Sequence, residues 1–262
     1  MISLKEIISS EEFVNNKAKL PVILGINTDG DSVIIDLTKT PHLLIGGTSK
    51  SGKSVGINTI LTSLLFKFSS DQVRFLLINP KKTELSLYNG IPHLITPVIT
   101  DMKKAVQAFQ WCINEMERRY MLLISKNVRD IESYNQKIQQ EKDKICTPLS
   151  YLVVIVDEFS DLIMTDSKHI EEYIICIAQK ARAVGIHLIL TTQVLSLDII
   201  TPVIKANIPS RIAFTTSTQI ESCTILDETG AEQLSGLVDM LYVESGTPSI
   251  KRVHGAFISH DE

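Results

Sequence analysis

Apolar residues along this chain fall into short blocks whose internal spacing alternates between two kinds. One kind is a compact, β-branched run: Leu43 to Gly46, Val73 to Ile78, Tyr151 to Val156, Ile186 to Thr192, Arg211 to Thr216, Met240 to Val243 and Val253 to Ile258. Such runs predict strands buried on both faces. Pro21 to Leu37 reads as two short strands around a turn at Asp29-Gly30, and Pro41 opens the apolar strand His42 to Gly46. The other kind has helical spacing. From Asp101 to Ser125, residues Met102, Val106, Phe109, Ile113, Met116, Tyr120 and Leu123 recur every three or four positions, and Asp101 suits the N-cap. A second helix is expected from Lys168 to Val184, ended by Gly185. Residues 1 to about 20 read as polar and helix-like, without an evident role, and 125–148 as a solvated helix and surface loop bearing the charge run QQEKDK. There is no internal repeat or heptad run. Strands alternating with helices predict an α/β fold with a mainly parallel central sheet flanked by helices.

Composition narrows the classes. A length of 262 residues suffices for one large domain, and 44% hydrophobic with 21% charged residues excludes a disordered chain. No apolar run approaches the ~18 residues a membrane span needs. The N-terminus lacks the apolar core of a signal peptide. The expectation is therefore a cytoplasmic protein whose membrane attachment, if any, comes from another segment or a partner. Cys112, Cys146, Cys176 and Cys223 are too scattered for a zinc site and read as reduced thiols. The net charge of −4 argues against a simple DNA-binding module, but is compatible with a ring that lines only its pore with cations.

The chemistry concentrates in two places. Gly47-Thr48-Ser49-Lys50-Ser51-Gly52-Lys53-Ser54 fits the phosphate-loop pattern, with a strand before it and an apolar helix start from Val55 after it. The glycines let backbone amides turn inward around phosphates, Lys53 supplies a charge to the β- and γ-phosphates, and the Ser54 hydroxyl is a ligand for Mg²⁺. These residues predict ATP or GTP binding. Downstream, the strand Tyr151 to Val156 runs into Asp157 and Glu158, a pattern that suits Mg²⁺ coordination by Asp157 and activation of the attacking water by Glu158. The strand Ile186 to Thr192 ends at Gln193, a candidate γ-phosphate sensor. Arg118, Arg119, Arg182 and Arg211 are candidates for an arginine acting in trans.

The segments PHLLIGGTSKSGKSVGIN, WCINEMERRY, VDEFSDLIM, QKARAVGIHLILTTQ, IKANIPSRIAF and TILDETGAEQLSGLVDMLY, in this order, resemble the motor domain of FtsK/SpoIIIE DNA translocases. The resemblance implies a RecA-like fold, ATP with Mg²⁺, a homohexameric ring and double-stranded DNA pumped through its pore. It implies Arg182 as the arginine presented to the neighbouring subunit. It also implies a boundary: residues 1–38 as an extension, the tail of a ring-forming domain, and 39–262 as the motor. The membrane-anchor and winged-helix domains common in the family would lie outside this chain.

Several positions depart from the family pattern. Lys50 and Asn79 replace Gly and Asp, and Val194, Gln219 and Cys223 replace pore-facing cations, leaving Lys205 as the DNA-contact candidate. Three readings follow: a DNA-translocating ATPase, a related motor acting on protein or conjugative DNA, and a nucleotide-binding structural subunit.

Overall fold

The computed structural model describes residues 2–81, 85–141, 146–247 and 249–258. The end of the expected surface loop, 142–145, lies outside the described residues. In chain order the elements are β1 (Ile2–Ser3), α1 (Leu4–Ile8), α2 (Glu11–Val14), β2 (Pro21–Ile26), β3 (Ser32–Asp36), β4 (His42–Gly46), α3 (Lys53–Lys67), β5 (Val73–Ile78), α4 (Met102–Ser125), α5 (Ile131–Glu141), β6 (Tyr151–Val156), α6 (Phe159–Lys180), β7 (Ile186–Thr192), α7 (Pro202–Asn207), β8 (Ser210–Phe214), α8 (Gln219–Leu226), β9 (Asp239–Val243) and β10 (Ile250–Phe257). The chain forms two compact units. The first comprises Met1–Phe68, Glu158–Ser160 and Ile189–Glu262, the second Ser69–Asp157 and Asp161–Leu188.

In the first unit the strand order is β3-β2-β10-β9-β8-β4, with β1 paired to β10. The β4–β8 pairing is parallel, whereas β8–β9, β9–β10, β10–β2 and β2–β3 are antiparallel. The sheet is thus mixed: hairpins build one side of it, and crossovers build the side that carries the phosphate loop. Helix α3 is fastened to the sheet by hydroxyls as well as by Ile57, Ile60, Leu61 and Leu64. The Ile23 N–H, beside an irregularity in β2, donates to Ser63 Oγ (3.2 Å), and Thr59 Oγ1 donates to the Ala256 carbonyl (3.1 Å).

The N-terminal stretch has a role that its polar character hid. Leu4, Ile7, Ile8 and Phe13 are buried in one cluster with Ile23 and Ala256. Lys67 caps the cluster, donating to the carbonyls of Phe13 (2.9 Å) and Asn16 (3.0 Å) with its ammonium 5.1 Å from the Phe13 ring centre.

In the second unit β5 and β6 pair in parallel. Helix α4 starts where expected: Asp101 accepts from the Lys104 N–H at 2.9 Å, and Phe109, Met116 and Leu123 are buried. Arg119 is buried on the same helix, bonded to Glu115 (2.7 Å) and to the carbonyls of Ser150 and Val184 (2.9 Å each). The solvated helix expected within 125–148 is instead half-buried. Ile131, Tyr134 and Ile138, at helical spacing on α5, each expose 3% or less, because their neighbours supply an apolar surface that local charge does not reveal. The helix expected from Lys168 is present as the second part of α6: Asp166 (φ −154°, ψ 74°) is not helical and separates it from a preceding helix that starts at Phe159. A 3₁₀ turn over Ala181–Val184 follows, and Gly185, at φ 72°, closes it as expected.

Candidate phosphate-loop and glutamate site

The loop between β4 and α3 has the backbone that phosphate binding requires. Gly52 stands at φ 106° at the head of α3 and offers no side-chain cap, so the first-turn N–H groups of this 15-residue helix remain for an anion. The loop is anchored at its start by Thr48, whose N–H and hydroxyl both donate to the Thr215 carbonyl at 3.0 Å. Lys53 is only 4% exposed, and its ammonium lies 3.7 Å from Glu158 Oε2. A lysine kept buried beside open helix amides fits a polyphosphate, whose charge would take over from the carboxylate.

Glu158 is the centre of the network. It is buried, and its backbone is left-handed at φ 66°, a conformation that costs a non-glycine residue about 1 kcal/mol or more. Side-chain bonds hold it there. Ser160 Oγ (2.6 Å), Thr192 Oγ1 (2.7 Å) and the Gln193 N–H (3.0 Å) all donate to Oε1. Burial pushes the Glu158 carboxyl up, but the Ser160 hydroxyl, the Lys53 ammonium, Thr192 and the Gln193 N–H outweigh it and hold the pKa at about 2. Glu158 is therefore an anion throughout the neutral range, suited to orienting a water and accepting its proton late, not to storing a proton. Gln193 closes the circuit: its Oε1 accepts from Ser49 Oγ at 2.7 Å, so the tip of the phosphate loop and the glutamate share one residue. The loop residues Gly47 to Ser54, Lys53, Glu158 and Gln193 thus come together within the first unit. Asp157 directly follows β6 in the second unit, where its N–H donates to the Ile78 carbonyl (2.9 Å). Ser160 and Thr192 are site residues that the sequence reading does not name; a hydroxyl within two positions of Glu158 or Gln193 is the available signal.

The FtsK/SpoIIIE family profile matches residues 3–197, beginning at the N-terminal cluster and ending just past Gln193. The chain belongs to the FtsK/SpoIIIE family. It is 55% identical, over 99% of its length, to the DNA translocase FtsK of Haemophilus ducreyi and 52% identical, over its whole length, to that of Haemophilus influenzae. It spans 29% and 53% of those relatives' lengths. Among solved structures it resembles the pCW3 conjugation coupling protein TcpA (TM-score 0.82, 26% identity, 96% of this chain and 70% of that one). It also resembles the cytoplasmic domain of the Thermomonospora curvata type VII secretion ATPase EccC (TM-score 0.81, 23% identity, 92% of this chain and 29% of that one), a likeness of fold. As in other FtsK/SpoIIIE proteins, the domain is a P-loop ATPase of mixed α/β fold.

The remaining candidate positions differ in their surroundings. Arg119 is committed to its own unit's interior, and Arg211 to the Ile225 carbonyl (3.0 Å) and Asp227 (2.5 Å). Arg118 pairs with Glu115, while Arg182 is exposed on the 3₁₀ turn. Lys205, on α7, is drawn to Asp227 (2.5 Å), which sits left-handed (φ 66°) at the end of α8. Val194 and Gln219 are exposed, and Cys223 is half-buried. Lys50 is left-handed (φ 63°) and exposed at the tip of the loop, and Asn79, fully buried at the end of β5, accepts from the Lys81 N–H (3.0 Å). Among the described residues no helix is long and apolar enough to cross a membrane.

Proposed function

We propose that this chain is the ATP-hydrolysing motor of a double-stranded-DNA translocase that works as a homohexameric ring. The observation that carries this reading is the buried Lys53–Glu158 pair, tied through Gln193 to Ser49 in the phosphate loop. In this reading Lys53 and the loop amides from Gly47 to Val55 bind the phosphates of ATP. Ser54 and Asp157 hold Mg²⁺, which neutralises charge on the transferred phosphoryl group. Glu158 orients the attacking water, Gln193 senses the γ-phosphate, and Arg182 serves a neighbouring subunit's site. Residues 39–262 form the motor and 1–38 an extension folded onto it. The motor works in the cytoplasm. The Haemophilus relatives named DNA translocases support DNA as the substrate.

ATP turnover, with and without duplex DNA over a salt series, tests the reading. Stimulation that declines with salt is expected, since each phosphate contact releases counterions. Turnover indifferent to DNA at low salt rejects the DNA substrate.

One set of observations favours a second reading, a motor of the same family acting on a protein. Val194 and Leu197 ahead of α7, Val203 on α7 and Ile220 on α8 are exposed apolar residues, and Lys205 is engaged by Asp227. Stimulation of turnover by an unfolded polypeptide but not by DNA would select it.

A further inference from the structure

The segment Gly236-Leu237-Val238 is the most strained stretch in the first unit. All three residues are left-handed, at φ 76°, 48° and 69°. Gly tolerates this conformation, but a β-branched valine there is an outlier that only surrounding structure sustains. Leu237 projects into solvent, 74% exposed, so its side chain does not hold the turn, whereas Val238 is buried.

The restraints on this turn come from two sides. On one side Asp239 clamps it. The Ser235 N–H (3.2 Å) and hydroxyl (2.9 Å) donate to Asp239 Oδ2, and Arg252 on β10 donates to both carboxylate oxygens (3.2 and 2.6 Å). The Gly255 N–H donates to the Val238 carbonyl at 2.8 Å, an approach so close that a Cβ on Gly255 would stand 2.6 Å from that oxygen. On the other side the turn meets the phosphate loop. The Val238 N–H donates to the Ser51 carbonyl at 3.3 Å, and a Cβ on Gly52 would lie 2.6 Å from both Val238 N and Cα.

We infer that Val238 is a positioning residue for the phosphate loop, and that β10 presses it into place through Gly255, Arg252 and Asp239. The inference rests on the reading of Gly47–Ser54 as a nucleotide site. In a trans peptide the carbonyl of one residue and the N–H of the next point to opposite sides. Fastening the Ser51 carbonyl to Val238 therefore turns the Gly52 N–H to the side away from the strut, and Gly52 is the residue that leads into the open amides of α3. Two glycines, one on each face of Val238, permit the contact: any side chain at either position would drive the strut off the loop or the loop off its conformation. The strain in residues 237 and 238 is thus held by β10 and used to fix one peptide plane of the phosphate cradle.

The test uses the full chain, with ATPγS binding and thermal unfolding measured on the same samples. Gly255→Ala, remote from the nucleotide, pushes the Val238 carbonyl; an ATPγS Kd raised about tenfold is expected, equivalent to about 1.4 kcal/mol. Arg252→Gln releases the clamp at a half-exposed position, and a Kd raised about threefold is expected with little change in Tm. Adding Val238→Gly to Gly255→Ala lets the turn give way and is expected to recover most of the lost affinity. A purely structural role would lower Tm and leave Kd alone. Kd values within twofold of wild type in both single variants overturn the inference; if Gly255→Ala does not fold, Arg252→Gln decides alone. Failure of the wild-type chain to bind ATPγS would instead overturn the nucleotide-site reading.

Discussion

Replacing Glu158 with glutamine tests whether the network around it is electrostatic in origin. The carboxyl is buried and held at about 2 against an ordinary value of 4.5. That difference corresponds to a stabilisation on the order of 3 kcal/mol at neutral pH. The sign follows from the direction of the shift. A pKa lowered on folding stabilises fully above the unfolded value, and the stabilisation fades as pH falls toward the folded one. Glutamine resembles the protonated acid: it keeps an acceptor for Ser160 and Thr192 but loses the charge that faces Lys53. Urea unfolding of both proteins at pH 7 should therefore show Glu158→Gln less stable by about 3 kcal/mol, shrinking to about 2 kcal/mol near pH 3.5. Excess ATPγS at pH 7 should narrow the gap, because phosphate replaces the missing anion beside Lys53. Turnover should fall by about 10²-fold or more while nucleotide binding persists. A stability difference below about 1 kcal/mol, or one unchanged by pH and nucleotide, would refute the claim that charge holds this site together.

Arg119→Ala should cost about 3 kcal/mol in chemical denaturation, since it strands the Ser150 and Val184 carbonyls and leaves Glu115 with Arg118 as its remaining arginine partner. Mixing this variant with wild type should not poison turnover in the way that loss of an arginine acting in trans would, and ATP turnover of mixtures at varied ratio checks it. Asp227→Asn frees Lys205 and Arg211 from an exposed carboxylate whose own pKa is lowered: burial raises it, but bonds from Lys205 and Arg211 more than offset that. Its effect on stability should stay within about 1 kcal/mol. If Lys205 contacts DNA phosphate, the salt slope of binding should steepen by about 0.9 per subunit; an unchanged slope removes Lys205 from the DNA contacts.

Local signals in the sequence determined the strand–loop–helix at Gly47–Ser54, the strand ending at Asp157-Glu158, the strand ending at Gln193 and the cap of α4 at Asp101. Each depends on the residue's own backbone preference or on spacing within a few positions, information that a sequence carries in full. The burial of Ile131, Tyr134 and Ile138 in a charged stretch, and of Leu4, Ile7 and Phe13 at the N-terminus, depended on which apolar surface the fold brings alongside, and only tertiary structure decided it. The same holds for the site. Asp157 and Glu158 are adjacent in sequence and were read as a pair, yet the left-handed backbone at Glu158 turns its carboxylate to Lys53, Ser160, Thr192 and Gln193. Val238 beside Ser51 and Gly52 is more remote still. A left-handed valine is disfavoured by everything local, so no reading of its neighbours in sequence finds it; the packing of β10 against the turn imposes that conformation, because long-range contacts together outweigh a local penalty of about 1–2 kcal/mol.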